Sequence, residues 1–396
     1  MRIINGTVHT MDGQIIPQGY VEWQDGVITQ VGPMETCPTE GAAYDARGGH
    51  IIPGFVDAHC HLGMFGDGVG LEGDDGNEAT DPCTPHLRAI DGINPLDRCF
   101  EEARRAGVTT VLTGPGSANP ISGQFAALKT RGSWVDAMVI KAPAAMKMAL
   151  GENPKLTYHD RHETPSTRMA TAAIIRENLS KALEYGRRLE RAAQDEDEDE
   201  PDYDAKLEAL LPVVRGELPV QIHAHRADDM ATGIRICKEF GLRYVLVHGT
   251  EGHLIPQLLA QEGAGVITGP CLGDRSKPEL VNMTLETPAI LQRYGIKTAI
   301  CTDHPETPIQ YLPLCAGMAV RGGMDPESAL AAITIWAAQL GGVDQRVGSL
   351  TPGKDADIVV TSAHPLNWLS RVRLVVIDGQ VVHGGATGGK DAGGRM

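Results

Sequence analysis

The sequence lacks several features that would place the protein in other classes. No apolar run reaches about 18 residues, the length that a membrane-spanning helix needs. Residues 1–6 carry no apolar stretch of the kind found in signal peptides. The eight cysteines include no Cys-x-x-Cys pair, so neither a zinc ribbon nor a disulfide framework is predicted. We therefore expect a cytoplasmic protein that does not associate with membranes.

Positive charge is also scarce. The formal net charge is −16, and no basic stripe is available to neutralise phosphates, so a nucleic-acid partner is not expected. Six consecutive acidic residues at 195–200 predict a solvated loop. With 396 residues, of which 42% are hydrophobic and 22% charged, the chain can bury a large core and reads as globular.

The most informative stretch is residues 51–61, which read IIPGFVDAHCH. Alternate side chains of a strand share a face, so His59 and His61 can point the same way where a buried strand ends. Further apolar runs end in polar groups of the same kind. These groups are His223 with His225, then His248, then Asp303 with His304.

Imidazole and carboxylate groups in this number suit zinc or a similar divalent ion, with iron and manganese as alternatives. The order of these groups resembles that of the amidohydrolase superfamily of metal-dependent hydrolases. Residues 53–61 and the GKDADIVV stretch at 353–360 resemble motifs of the same superfamily. Within it, the imidazolonepropionase-like branch is the nearest in kind. The resemblance covers nearly the whole chain.

Strand-like and helix-like segments alternate through the middle of the chain, which predicts an α/β fold with a (β/α)₈ TIM-like barrel. Predicted helices lie at 95–106, 168–194, 227–240, 253–262, 286–294 and 325–340, and predicted strands at 108–112, 218–223, 243–248, 264–268 and 296–302. Two stretches, 135–140 and 145–150, both read as strands, yet too few residues separate them for a parallel crossover. We therefore expect that one of the two is not a barrel strand or pairs irregularly, and an eightfold count does not follow from the sequence.

Short strand patterns at both ends of the chain predict a second, smaller domain. Neither end has enough strands for a stable sheet, so we expect residues 1–50 and 347–396 to form one composite β-sandwich, and residues 51–346 to form the barrel. Four histidines, His9, His50, His364 and His383, fall in or beside the terminal strands, where we expect structural or exposed roles.

The resemblance implies a set of metal ligands. His59, His61, His223 and Asp303 would hold one ion, with Asp303 also acting as the catalytic base. A second ion would add His248, which is otherwise a catalytic group that steadies the substrate carbonyl. It would also need a bridging acid, for which a carboxylated Lys147 is the candidate. Lys141 and Glu152 are the next candidates. The alternative for Lys147 itself is an ordinary, unmodified lysine.

Substrate contacts are predicted less directly. His225 can share the face of His223 and touch substrate or form a local hydrogen bond. The long segment 63–94 is predicted to cover the site, since long unstructured connections are often functional. In it, His86 and Arg88 are candidates for binding a substrate carboxylate, although a surface salt bridge would also explain Arg88.

The expected function is metal-dependent hydrolysis of the C–N bond of an amide or cyclic amide, with a metal-activated water and Asp303 as general base and acid. A deaminase, or a dipeptidase or N-acyl amino acid deacylase, is the alternative on the same site. A catalytically silent assembly protein is a further alternative. Such a protein would be expected to lack metal ligands, and here the series of metal ligands is complete, which argues against it. We expect a small-molecule substrate, and a homo-oligomer is left open.

Overall fold

A computed structural model describes residues 1–66, 70–195 and 197–384, and within these ranges the strands form two sheets. In chain order the strands are β1 (Arg2–His9), β2 (Ile15–Gln24), β3 (Val27–Pro33), β4 (Ala43–Asp45), β5 (His50–Pro53), β6 (Phe55–Cys60), β7 (Val108–Thr113), β8 (Ile121–Lys129), β9 (Val139–Ala149), β10 (Val220–Ala224), β11 (Tyr244–His248), β12 (Gly265–Thr268), β13 (Thr298–Ile300), β14 (Ile358–Thr361), β15 (Val372–Ile377) and β16 (Gln380–Gly384). The first five and the last three form one sheet, and β6 to β13 form the other.

Most helices lie between the barrel strands. They are α1 (Arg98–Ala106), α2 (Glu152–His159), α3 (Arg168–Gln194), α4 (Ala205–Val214), α5 (Ala227–Phe240), α6 (Pro256–Gln261), α7 (Thr287–Arg293), α8 (Leu312–Arg321), α9 (Pro326–Ala332) and α10 (Ile335–Leu340). The helices predicted at 168–194 and 227–240 are confirmed with the same bounds. Among the described residues, no helix has both the length and the apolarity that crossing a bilayer requires.

The second sheet is the predicted barrel. Its strands follow one another in chain order from β6 to β13. The two end strands meet without a ladder, but the His61 N–H donates to the His304 carbonyl at 2.9 Å and brings them together. All six residues of β6 are buried, as expected for a strand covered on both faces. The α/β barrel prediction is therefore confirmed.

One strand departs from the (β/α)₈ pattern. Strand β8 is antiparallel to both β7 and β9, so the barrel contains a hairpin pair where helices would otherwise cross over. The two strand-like stretches at 135–140 and 145–150 belong largely to one long strand, β9, preceded by a short 3₁₀ turn. The expectation that one of these stretches is not a regular barrel strand agrees with this structure, and the remaining barrel strand is β8, which the sequence pattern did not reveal.

The prediction of a single helix at 325–340 is wrong, because Ile333 and Thr334 separate two helices, α9 and α10. The Ile333 carbonyl accepts a hydrogen bond from the Val56 N–H of β6 at 2.8 Å. A carbonyl committed to a neighbouring strand is not available to continue the helix. The break therefore docks the helix pair against the first barrel strand.

The terminal sheet draws its strands from both ends of the chain. Its order is β16-β15-β14-β5-β1-β2-β3, with β4 paired to β1, so the joining of the two termini in one β structure is confirmed. It is tied to the barrel by Lys129 at the end of β8, whose Nζ lies 2.7 Å from Asp357 Oδ2. The domain bounds at residues 50 and 346 stay predictions, and residues 385–396 lie outside the described part of the chain.

Candidate metal centre

The polar groups predicted at the strand ends converge at the carboxyl-terminal mouth of the barrel. Strand β6 carries His59 and leads into His61, β10 carries His223 and leads into His225, β11 ends at His248, and Asp303 follows β13. Parallel strands in register bring these ends to one edge of the sheet. The side chains form two groups, His59 with His61 and Asp303, and His223 with His225 and His248, and within each group the ligand atoms lie within 4.8 Å of one another.

In the first group, Asp303 faces both histidines. Its Oδ1 lies 3.2 Å from Nε2 of His61 and 3.6 Å from Nε2 of His59. The outer nitrogens are occupied: Nδ1 of His61 lies 2.7 Å from the Gly114 carbonyl, and Nδ1 of His59 lies 2.7 Å from Oε1 of Gln221. Those oxygens only accept, so each Nδ1 carries the ring proton and each Nε2 presents a lone pair to the centre.

In the second group, His248 has the same arrangement, with Nδ1 2.8 Å from the Gly269 carbonyl. His223 is 2% exposed, yet neither of its ring nitrogens has a hydrogen-bond partner among the described residues. Buried polar groups are normally paired because an unpaired one costs free energy. The ring nitrogens of His223 are therefore available to bind a group from outside the protein, such as a metal ion. His225 differs, since its Nδ1 lies 2.7 Å from the Thr250 hydroxyl.

Lys147 lies between the two groups. Its side chain is fully buried, and Nζ is 3.0 Å from Nε2 of His59. Burial lowers the pKa of Lys147 to about 8. Of the alternatives, Lys141 lies on the early half of β9, away from the cleft, whereas Glu152 begins α2 and lines it.

The electrostatics favour neutral rings around a charged carboxylate. Burial holds the pKa values of His59, His223 and His225 well below the ordinary value and lowers that of His248 to about 4. Burial acts to raise the pKa of Asp303, and positive charge on the facing His248 and His61 rings outweighs it and holds that pKa well below its usual value; where those rings are neutral, a bound cation would supply this positive charge. Neutral imidazoles with an ionised carboxylate are the donor set that zinc and similar divalent ions take.

Two of the site residues have backbone angles that are uncommon for side-chain-bearing residues. His248 has φ of 71° and Asp303 has φ of 53°, both in the left-handed region. Each stands where the chain leaves a barrel strand. Such conformations cost free energy and persist where the surrounding structure fixes them, often at functional sites. Here they turn the chain so that both side chains face the cleft.

Three buried residues at the site were not predicted. Gln221 orients His59 through its hydrogen bond to Nδ1. Asp57 accepts hydrogen bonds from the N–H and the hydroxyl of Thr302, at 3.0 and 2.6 Å, and Thr302 precedes Asp303 in the chain. Glu279 is 1% exposed, and its Oε1 lies 3.7 Å from Nε2 of His225. Asp57 was open to prediction, because it shares a strand face with His59. Gln221 stands in the same relation to His223 on β10, whereas nothing in the local sequence distinguishes Glu279.

A cleft of about 1610 Å³ opens above these groups, and His61, His223, His248 and Asp303 line it. The predicted covering segment reaches the cleft through Phe65 and Asn77. His86 and Arg88 are exposed and do not line the cleft, and Arg88 pairs with Asp91 at 2.8 Å. Their substrate-binding role stays a prediction to which this geometry gives no support.

The chain resembles known proteins over nearly its whole length. The signature of the amidohydrolase family matches residues 50–382. The chain is 31% identical to amidohydrolase tasK of Hapsidospora irregularis over 91% of its own length but only 39% of that protein. It is 26% identical to the imidazolonepropionase of Symbiobacterium thermophilum, over 93% of both chains. An amidohydrolase crystal structure from Thermotoga maritima MSB8 superposes with a TM-score of 0.93 and 42% identity, covering 96% of this chain and 99% of that one.

Proposed function

The chain belongs to the amidohydrolase family of carbon–nitrogen hydrolases, and we propose that it catalyses the metal-dependent hydrolysis of an amide or cyclic amide with Asp303 as general base and acid. One observation carries the proposal. Nε2 of His61 and Oδ1 of Asp303, both acceptors, face each other at 3.2 Å inside the cleft. With the ring proton of His61 on Nδ1, these two atoms need a positive centre between them, either a second proton on Nε2 or a divalent cation, and the proposal assigns the cation.

The donor set fits such an ion. His59, His61 and Asp303 would hold one, with His223 and His248 contributing from the opposite side of the site. The buried His223 nitrogens, which lack protein partners among the described residues, agree with this assignment. When bound, a divalent ion lowers the pKa of water from 15.7 to about 7 and polarises a carbonyl oxygen. Zinc is the proposed metal because it favours nitrogen-rich sites.

Asp303 is suited to proton transfer. Its lowered pKa keeps the carboxylate ionised near neutral pH, so it can accept a proton from the attacking water. The same oxygen then returns that proton to the leaving nitrogen, which departs as a neutral amine. The C–N bond breaks, a C–O bond forms, and the carboxylate regains its initial charge.

For His248 the geometry favours a ligand role over hydrogen-bond donation to the substrate. Its ring proton is on Nδ1, which donates to the Gly269 carbonyl, and burial lowers its pKa to about 4. Nε2 therefore has a lone pair and no proton at neutral pH. A group in this state can bind a cation but cannot donate to a carbonyl oxygen.

Lys147 is proposed as a carboxylated bridge between the two groups. As an ammonium it would stand 3.0 Å from Nε2 of His59, where it would compete with a cation for the same lone pair. Carbon dioxide adds to the neutral amine: an N–C bond forms, one proton is released to solvent, and the product is a carbamate whose carboxylate has two oxygens. The pKa of about 8 makes the neutral amine accessible under mild conditions.

For the substrate we propose a small amide, with a cyclic amide favoured by the imidazolonepropionase relatives. Dipeptides and N-acyl amino acids remain on the panel to be tested, because the sequence left a dipeptidase or an N-acyl amino acid deacylase open as alternatives. Two neighbours in fold are named a prolidase and a Xaa-Pro dipeptidase. Those neighbours are at most 17% identical to this chain, so the similarity supports a shared fold and not a shared substrate.

The test is hydrolysis by the purified full chain of three substrate sets: cyclic amides, N-acyl amino acids and dipeptides. Activity should disappear after chelation and return with zinc, and Asp303→Asn should lower it by roughly 10²–10⁴-fold. Turnover that survives complete metal removal would refute the proposal. So would a zinc-loaded chain that hydrolyses no member of the panel but deaminates heterocyclic amines.

A further inference from the structure

A second cluster of metal-binding side chains lies where the terminal sheet meets the helices of the barrel. It contains His9 at the end of β1, His50 at the start of β5, Glu327 in α9, and His364 beyond β14. The three rings pack together, with centroid distances between 5.1 and 5.6 Å. None of the four residues lines the catalytic cleft, so the cluster is separate from the site described above.

The distances suit a shared ligand. Nδ1 of His9 lies 3.3 Å from Oε2 of Glu327, and Nε2 of His364 lies 3.7 Å from Oε1 of the same carboxylate. One ligand atom from each of these three residues lies within 4.8 Å of the other two. We propose that His9, Glu327 and His364 bind a divalent transition-metal ion such as zinc, which clamps the terminal sheet to α9.

His50 would orient the His9 ring. Nε2 of His9 lies 2.8 Å from Nδ1 of His50, so one of the two nitrogens carries a proton and the other accepts it. If His9 donates through Nε2, its Nδ1 is left with a lone pair that faces the Glu327 carboxylate. Metal-bound histidines commonly donate from the ring nitrogen that is not bound to the metal, which is the arrangement this pair provides.

Proton positions also allow a reading without metal. His50 could donate to His9, and His9 through Nδ1 to Glu327, which makes a hydrogen-bonded chain that needs no ion. His364 distinguishes the metal site from the hydrogen-bonded chain. It takes no part in that chain, yet its ring approaches the Glu327 carboxylate from another segment. Binding through Nε2 would move its ring proton to Nδ1 and break the long 3.3 Å bond from the Leu366 N–H. The side chain is 33% exposed, so it has room to adjust.

The donor types and the accessibility fit a transition metal better than calcium or magnesium. Two imidazoles and a single carboxylate provide nitrogen-rich coordination, whereas calcium and magnesium take oxygen ligands. Glu327 is 40% exposed, so an ion can enter and water can complete its coordination. The three ligands come from separate parts of the sequence, and an ion held among them would link the N-terminal strands, α9 and the segment after β14.

The site can be tested by metal stoichiometry. The full chain would be stripped with chelator, reloaded with zinc and desalted, and zinc per chain would be measured for wild type, Glu327→Gln, His364→Ala and the control His383→Ala. His383 is a partly buried histidine of the same sheet outside the cluster. The proposal expects one zinc fewer in the first two variants and the wild-type count in the control. Equal counts in all four proteins would overturn it.

Anomalous scattering gives a second test that requires no variant. A wild-type crystal soaked in zinc should give a peak at the zinc absorption edge among His9, Glu327 and His364, in addition to any peak in the cleft. An absent peak at the cluster would support the hydrogen-bonded chain instead. Because the readout is location and count of zinc, it is independent of whether the catalytic proposal is right.

Discussion

The buried Nζ of Lys147 lies 3.0 Å from Nε2 of His59, and the register of the sheet explains how they meet. Lys147 on β9 pairs with Gln221 on β10, and Gln221 reaches across the barrel interior to Nδ1 of His59. The three side chains thus form one layer of the barrel interior. Any change to Lys147 therefore acts on a histidine of the candidate centre.

Lys147→Ala should lower the number of active-site ions and abolish turnover, because the proposed bridge is lost. Zinc per chain should be counted in the Glu327→Gln background, so that the proposed junction site does not contribute. Lys141→Ala, on the same strand but away from the cleft, is the matched control and should keep the count. Native mass spectrometry in bicarbonate should find the added mass of one carbon dioxide on wild type. An unmodified lysine with one ion per chain would reject the bridge.

Asp303→Asn should reduce kcat by roughly 10²–10⁴-fold, the usual contribution of a positioned general acid–base group. The amide keeps the size of the side chain but cannot accept and return the proton. Asp202→Asn, an exposed aspartate away from the strand ends, should leave kcat unchanged. Steady-state kinetics with metal content matched between proteins would measure this. Near wild-type turnover in Asp303→Asn would assign the base elsewhere.

His223→Leu should separate metal binding from fold stability. Without metal, both nitrogens of the buried His223 ring lack hydrogen-bond partners among the described residues, so an apolar side chain should stabilise the metal-free protein by about 1 kcal/mol or leave it unchanged. His225→Leu should destabilise it, because that ring holds a hydrogen bond with Thr250. Urea unfolding with and without zinc is the measurement, and zinc should stabilise His223→Leu less than wild type. An equal zinc effect in both would remove His223 from the ligand set.

Lys129→Met should destabilise the protein by about 3–5 kcal/mol, the usual cost of breaking a buried ion pair. Nζ of Lys129 lies 2.7 Å from Asp357, 2.9 Å from Asp355 and 3.2 Å from Asp378, and its removal leaves the buried Asp357 carboxylate without a cation, whereas Asp355 keeps Arg346 at 2.8 Å. Lys181→Met, which breaks an exposed helical pair with Glu177, should cost at most about 0.5 kcal/mol. Urea denaturation compares the two. Similar small losses in both would mean that the Lys129 cluster does not tie the sheet to the barrel.

Much of the candidate site followed from the sequence, because the rule that places it is local. An apolar run that ends in a histidine or an aspartate puts that group at the end of a buried strand. Parallel strands then bring those ends to one mouth, which is why His59, His61, His223, His248 and Asp303 could be grouped in advance. The long helix α3 was also predictable, since its pattern and bounds lie within one continuous segment.

Strand β8 could not be predicted in the same way. It is short of the β-branched residues that mark strands, and its antiparallel pairing with β7 and β9 depends on connections too brief for a crossover helix. His86 and Arg88 illustrate a similar limit. They stand in a segment that reaches the cleft, yet the folded chain leaves both exposed outside it.

The sequence by itself determined which side chains stand at the ends of buried strands, because side-chain alternation and apolar runs are properties of neighbouring residues. Only the tertiary structure decided which distant residues meet: Gln221 with His59, Thr302 with Asp57, Glu279 with His225, and His9 with Glu327. Strand pairing and helix docking set these contacts. They also favour one protonated ring nitrogen in each histidine, and that proton decides through which nitrogen the ring can bind a metal.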